Sequence, residues 1–267
     1  MSVEERCILE VRGASFAYGE ARPVLKGLSF RLHQGSIAAI LGPNGSGKST
    51  LLDICLGWKK PSSGQVLLAG RPLGAWTRSE RGRMMSLVPQ RENVRFDFSA
   101  LDYVLLGRAP HLGPLQAPGS RDRAVALEAL ASAGIAPLAK RPVTTLSGGE
   151  YQLMLIARSL AQQASLLLLD EPASQLDPAH QLRVMRLLRT LSRRGITVLF
   201  TSHSPQAAAT IADTISLLKG GRFRFSGPAR EVLTAANLRS LYGVPFRAAW
   251  SRGIFSCAPI ESSPASR

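Results

Sequence analysis

Gly42-Pro43-Asn44-Gly45-Ser46-Gly47-Lys48-Ser49-Thr50 fits the phosphate-loop pattern G-x-x-x-x-G-K-[ST], and it constrains the fold of this chain more than any other feature. The apolar run Ile37-Ala38-Ala39-Ile40-Leu41 before it reads as a buried strand, and Leu51-Leu52-Asp53-Ile54 after it as the first turns of a helix. The motif requires that strand–loop–helix context. Glycines let the backbone bend around a phosphate, and the helix N-terminus adds a favourable dipole. Lys48 supplies a point charge to the β- and γ-phosphates, and the Ser49 hydroxyl is placed to ligate Mg²⁺. The pattern makes this a nucleotide-binding chain.

Strands alternating with helices around such a loop imply an α/β fold whose sheet is mainly parallel, with an antiparallel β edge. Strands are expected at Ile8–Arg12, Leu28–Leu32, Val66–Ala69 and Met85–Val88, and again at Leu166–Leu169, Thr197–Phe200 and Ile215–Leu218. From about residue 91 to 163 the texture becomes alanine- and leucine-rich, which implies an inserted helical subdomain. The catalytic core then occupies about 1–90 and 164–244 of a single domain, and 245–267 forms a tail. Its Ser/Pro/Ala-rich end, 260–267, is expected to fray. Ala179 to Arg194 reads as an amphipathic helix.

A chain of 267 residues suffices for one domain with a sizeable core, and no apolar stretch approaches the ~18–20 residues that span a bilayer. The first residues carry acids and no apolar signal core. Cys7, Cys55 and Cys257 are far apart without C-x-x-C spacing, so reduced thiols in a cytoplasmic protein are expected. The formal charge of +15 permits attraction to nucleic acid or an anionic membrane. The basic residues are scattered, however. A solvated basic surface accounts for them better than a specific nucleic-acid face. Four scattered histidines offer no metal cluster.

Two further places carry chemistry. The run Leu166–Leu169 delivers Asp170 and Glu171 to the carboxyl end of a strand, the edge of a parallel sheet where ligands bind. Asp170 is expected to hold Mg²⁺ through water and Glu171 to polarise the attacking water. In Leu146-Ser147-Gly148-Gly149-Glu150-Tyr151-Gln152, Ser147 reads as the N-cap of a helix, and Gly148 and Gly149 permit close backbone approach. This helix start is a second anion site that spacing alone does not assign to the first.

Together these motifs resemble the ATP-binding subunit of an ABC transporter, with Leu146–Gln152 similar to its signature sequence and Glu150 standing where glutamine is usual. The resemblance covers about Ile8 to Gly243. It implies that Tyr18, in Phe16-Ala17-Tyr18-Gly19, stacks on adenine, and that Gln90, after Leu87-Val88-Pro89, senses Mg²⁺ and water. It implies too that Ser174-Gln175-Leu176-Asp177 crosses a dimer interface, although Asp177 ahead of Pro178 also reads as a helix cap. His203 would contact the γ-phosphate. In this family two subunits sandwich two ATP molecules, the phosphate loop of one facing the signature helix of the other. The implied ligands are ATP and Mg²⁺.

A single cassette without membrane helices implies separate transmembrane permease subunits. The chain would then sit peripherally on the cytoplasmic face of the cell membrane and meet an extracytoplasmic binding protein only through the permease. Phe98 to Gly113, Ala179-His180-Gln181 and Leu241-Tyr242-Gly243-Val244 are similar to importers of iron–siderophore complexes, haem and cobalamin. His111 is then a candidate permease contact, or simply a turn residue after Pro110. Importers of molybdate, zinc or manganese remain open. So does a soluble ABC ATPase of DNA repair, translation or iron–sulfur assembly, though the short span from Gln90 to Leu146 leaves no room for that class's long insertions. A cassette that binds without hydrolysing is disfavoured by Glu171 and His203.

Overall fold

The computed structural model describes residues 6–19, 22–90, 92, 94 and 96–260. The chain opens with β1 (Cys7–Phe16) and β2 (Leu25–His33), an antiparallel pair, and continues into β3 (Ile37–Leu41) and α1 (Lys48–Leu56). Then come β4 (Ser63–Leu68), the short β5 (Arg71–Pro72), α2 (Arg78–Met84) and β6 (Met85–Val88). The helical insertion carries α3 (Ala100–Leu105), a 3-10 turn at Leu106–His111, α4 (Ser120–Ser132) and α5 (Gly148–Ala161). The core resumes with β7 (Leu166–Leu169), α6 (Pro178–Arg193), β8 (Thr197–Ser202), α7 (Pro205–Ile211) and β9 (Thr214–Lys219). It closes with β10 (Arg222–Pro228), α8 (Ala229–Val232), α9 (Ala235–Tyr242), β11 (Phe246–Ser251) and β12 (Ile254–Pro259).

Six strands in the order β10-β9-β3-β8-β7-β6 make the main sheet, and four in the order β2-β1-β4-β5 make an antiparallel sheet beside it. The five strands from β9 to β6 are parallel, and β10 is antiparallel to β9. Every residue of β3, β7 and β8 is buried, as a strand covered on both faces must be. Their side chains alternate between two cores. Ile37, Ala39, Leu167 and Leu169 pack with the insertion helices and α6. Ala38, Ile40, Leu166 and Leu168 pack with α1 and the antiparallel sheet.

Register fixes where the chemistry sits. Leu41 lies beside Ser202, Leu169 beside Phe200, and Val88 beside Leu169. The segments leaving β3, β6, β7 and β8 therefore emerge side by side at the carboxyl edge of one sheet, and all four were singled out in the sequence.

The insertion is anchored by polar contacts as well as apolar ones. The buried Arg108 guanidinium donates to Asp122 Oδ1 (2.9 Å), to the Ala161 carbonyl (2.8 Å) and to Gln163 Oε1 (2.8 Å). His111 Nε2 bonds the Gln162 carbonyl at 2.8 Å, tying the 3-10 turn to the end of α5.

Within the tail, residues from Phe246 to Pro259 form the β11–β12 hairpin, with Trp250 opposite Phe255 at a ring separation of 5.0 Å and Arg230 over the Trp250 ring. Gln206 of α7 ties it down by donating to the Cys257 carbonyl at 2.6 Å. Ile260 is still held, its N–H bonded to the Pro245 carbonyl at 2.9 Å. The fraying expected beyond it lies outside the described residues. No helix among the described residues is long and apolar enough to cross a membrane.

Candidate functional site

The phosphate loop joins β3 to α1 with two left-handed glycines, Gly45 (φ 75°) and Gly47 (φ 102°). At Gly47 a Cβ would also lie 2.7 Å from the Leu25 side chain, so only glycine fits both the dihedral and the space. Lys48 is buried beneath the loop. Its ammonium donates to the Gly42 carbonyl at 2.9 Å and the Pro43 carbonyl at 3.3 Å, and pairs with Glu171 Oε1 at 3.2 Å. Ser46 Oγ is buried with no hydrogen-bond partner among the described residues. A buried hydroxyl in that condition is unusual away from a ligand site.

A cavity of about 470 Å³ opens over the loop. It is lined by Tyr18, Val24, Asn44, Gly45, Gly47, Lys48, Ser49, Thr50, Gln90 and Glu171. Such a volume is typical of small-molecule sites. Tyr18 is half-exposed at its rim, with its orientation fixed on three sides. Its hydroxyl lies 3.1 Å from Thr50 Oγ1, Phe16 meets it edge-on at 5.0 Å, and the Lys59 ammonium sits 5.6 Å from its ring centre. Lys59 is held there by Asp53. One ring face is thus occupied by a cation, which favours an aromatic there by attraction to the π-face.

Glu171 is the hub of the site. It is buried, and its Oε2 accepts from Gln90 Nε2 at 3.3 Å and lies 2.7 Å from His203 Nδ1, while its Oε1 faces Lys48. Its backbone is left-handed, φ 49°, a conformation that costs a non-glycine residue energy and clusters at functional sites. Thr201, fully buried at the end of β8, locks this geometry. Its hydroxyl accepts from the Glu171 N–H at 3.0 Å and donates to Asp170 Oδ1 at 2.5 Å. Thr201 and Val24 were not singled out from the sequence, and the available signal for Thr201 was a hydroxyl residue ending a buried strand next to His203. Tyr242 was quoted only as a subfamily mark, yet its hydroxyl donates to the His203 carbonyl at 2.8 Å. Burial pushes the Tyr242 phenol up from its ordinary range, so it stays a donor.

Among the described residues no three His, Cys, Asp or Glu side chains cluster as a metal cage. The Ser49 hydroxyl, the Gln90 amide and the Asp170 carboxylate are nevertheless hard oxygen donors, two of them lining the cavity. That set fits Mg²⁺, which takes few protein ligands and completes its octahedron with substrate phosphates and water.

Ser147, Gly148, Gly149 and Asp177 are absent from the cavity lining. Ser147 caps α5 as expected, in a capping box with Glu150: Ser147 Oγ accepts from the Glu150 N–H, and Glu150 Oε2 from the Ser147 N–H. Glu150 thus supplies the reciprocal bond of the cap. Asp177 caps α6, accepting from the N–H groups of Ala179 and His180. The phosphate loop and the start of α5 thus lie apart, the second outside the cavity over the first.

The family model for the ABC transporter matches residues 25–174. The molybdate import ATP-binding protein MolC of Haemophilus influenzae is 40% identical over 238 residues, 89% of this chain and 88% of that protein. The hemin import ATP-binding protein HmuV of Pseudomonas entomophila is 41% identical over 242 residues, covering 89% of this chain and 93% of the relative. Among solved structures, a chain of an ABC transporter described as of metal-chelate type, in an inward-facing conformation, superposes with a TM-score of 0.84 at 37% identity. The match covers 96% of this chain and 98% of the other.

Proposed function

Because this chain belongs to the ABC transporter family, in which the cassette is an ATPase, we propose that it powers a bacterial importer of a metal chelate, with hemin the leading class. The observation that carries the chemistry is the carboxylate of Glu171 held between Lys48, Gln90 and His203 at the mouth of the phosphate loop. ATP lays its triphosphate along Gly42–Thr50 and its adenine on the free face of Tyr18. Lys48 exchanges its loop carbonyls and Glu171 for the β- and γ-phosphate oxygens. That exchange releases Glu171 Oε1 to accept a hydrogen bond from water in line with the γ-phosphorus.

Water oxygen bonds to phosphorus as the bond to the β-phosphate oxygen breaks, and the water proton passes by way of Glu171 to the departing phosphate. His203 and Gln90 hold Oε2 and so fix the other carboxylate oxygen. Ser49 and Gln90, with Asp170 through water, would hold Mg²⁺, which when bound would supply neutralising charge to the phosphates. Catalysis here is positioning and electrostatics, as expected for phosphoryl transfer. Ser147, Gly148 and Gly149, which lie off the chain's own cavity, face the γ-phosphate of a second copy. The active form is then a head-to-tail dimer with two composite sites, docked on permease subunits at the cytoplasmic face of the membrane. A binding protein engages the permease from the other side.

The cargo never touches this chain, so it is assigned by relatedness. The metal-chelate-type neighbour and the hemin relative favour a chelate; the molybdate relative at similar identity favours an oxyanion as the second reading. Isolation of the chain from native membranes in mild detergent tests the proposal. Recovery of a polytopic permease whose binding protein takes up hemin supports it. Recovery with a molybdate-binding partner selects the second reading, and a chain recovered with ribosomes or DNA refutes import.

A further inference from the structure

His180 joins two motifs that the catalytic account treats separately. Its ring packs on Gly149 so closely that a Cβ there would lie 2.0 Å from His180 Cδ2 and 2.6 Å from its Nε2. The opposite edge of the ring places Nδ1 2.6 Å from Asp177 Oδ2. Asp177 Oδ1 accepts in turn from the backbone N–H groups of Ala179 (2.9 Å) and His180 (3.0 Å). Next along α6, Gln181 Nε2 donates to the Leu176 carbonyl at 2.9 Å. Just before Leu176, Gln175 sits in the left-handed region, φ 65°. The start of α5 and the 174–177 loop are therefore one packed unit, and the imidazole is the side chain that touches both.

We propose that His180 is a positioning residue that couples the Ser147–Gly149 helix start to the Ser174–Asp177 loop within each protomer. Both surfaces that a protomer offers its partner then move together. The inference rests on the composite-site reading above and deepens it. The His180 ring occupies the space beside Gly149 that a side chain there would need, so a displacement of the ring is felt at the start of α5. The Asp177 bond fixes the ring plane, so a shift of the loop turns the ring against Gly149. ATP engaged by the α5 start of one chain is then felt by the same chain's 174–177 loop, which lies toward the other composite site. Hydrolysis at the two sites becomes linked without any change inside either phosphate loop.

The test uses the full chain carrying Glu171→Gln, alone and combined with His180→Ala or His180→Asn. Nucleotide affinity of the dilute single chain is read with a fluorescent ATP analogue, and ATP-driven self-association by sedimentation. His180→Ala is expected to leave single-chain affinity within about twofold and to weaken ATP-driven association about tenfold. Asparagine, which places an amide near the Nδ1 position, is expected to restore most of the association. A purely structural role would instead lower thermal stability, with affinity and association falling in step, and that result overturns the proposal. Association of His180→Ala equal to its parent overturns it as well. If Glu171→Gln itself stays monomeric with saturating ATP, the composite-site reading fails and this inference falls with it.

Discussion

Glu171 combines the features of a reacting residue: burial, a strained backbone, and a cation, an amide and an imidazole on its carboxylate. Glu171→Gln preserves shape and removes the proton acceptor. It is expected to bind ATP with near-normal affinity while turnover falls by about 10² or more, as loss of a general base does. Single-turnover hydrolysis measures this, and wild-type rates would remove Glu171 from its role. Thr201→Val tests the support beneath it. The substitution leaves the buried Glu171 N–H without an acceptor and Asp170 without its donor, at a cost of about 1–3 kcal/mol. Denaturant unfolding should show that loss, together with a fall in turnover. The acid pair was legible because an apolar run ends in Asp170 and Glu171. The bracing by Thr201 was not, since a hydroxyl at a strand end carries no mark of what it bonds.

Elements were legible where burial is complete. The runs Ile37–Leu41, Leu166–Leu169 and Val198–Phe200 are apolar without interruption because both faces of the sheet are covered. The strands missed, β5, β10, β11 and β12, lie at the margin, where most positions are exposed or only partly buried and carry Arg, Ser or Pro. The turn at Gly220-Gly221, with both φ positive, was the signal available for β10. One connection between elements has a pH signature. Glu92, two residues beyond Gln90, is pinned to α5. Arg158 donates to its carboxylate and to Tyr103 Oη, both at 2.8 Å, and Tyr151 Oη donates to the Glu92 carbonyl at 2.6 Å.

Burial disfavours the Glu92 carboxylate, but the hydrogen bonds of Arg158 and Tyr103 outweigh it and hold its pKa below the ordinary 4.5. A depressed folded-state pKa stabilises the fold above the unfolded value, and that contribution is lost as pH falls through the folded value. Unfolding free energy of the wild type should therefore drop as pH falls below the ordinary carboxylate value of 4.5, with Glu92→Gln showing a shallower slope. Equal slopes would remove Glu92 from the link between the Gln90 segment and α5.

At the scale of the molecule, the chain carries a phosphate loop and an α5 start that do not share a cavity. Spacing along the chain did not join them; the resemblance to the ABC transporter family did, by implying that the partner surface belongs to another copy. The two-fold arrangement proposed here makes each useless without the other. Mixing two inactive variants tests it most directly. Lys48→Ala disables the phosphate loop and Ser147→Arg blocks the α5 start, and each alone should lose ATPase activity. In a mixed dimer both lesions fall in one composite site and leave the other intact. Activity on equal mixing should then rise toward about a quarter of wild type, half the dimers being mixed and each keeping one of two sites. Full activity of Ser147→Arg alone would contradict hydrolysis at a shared site.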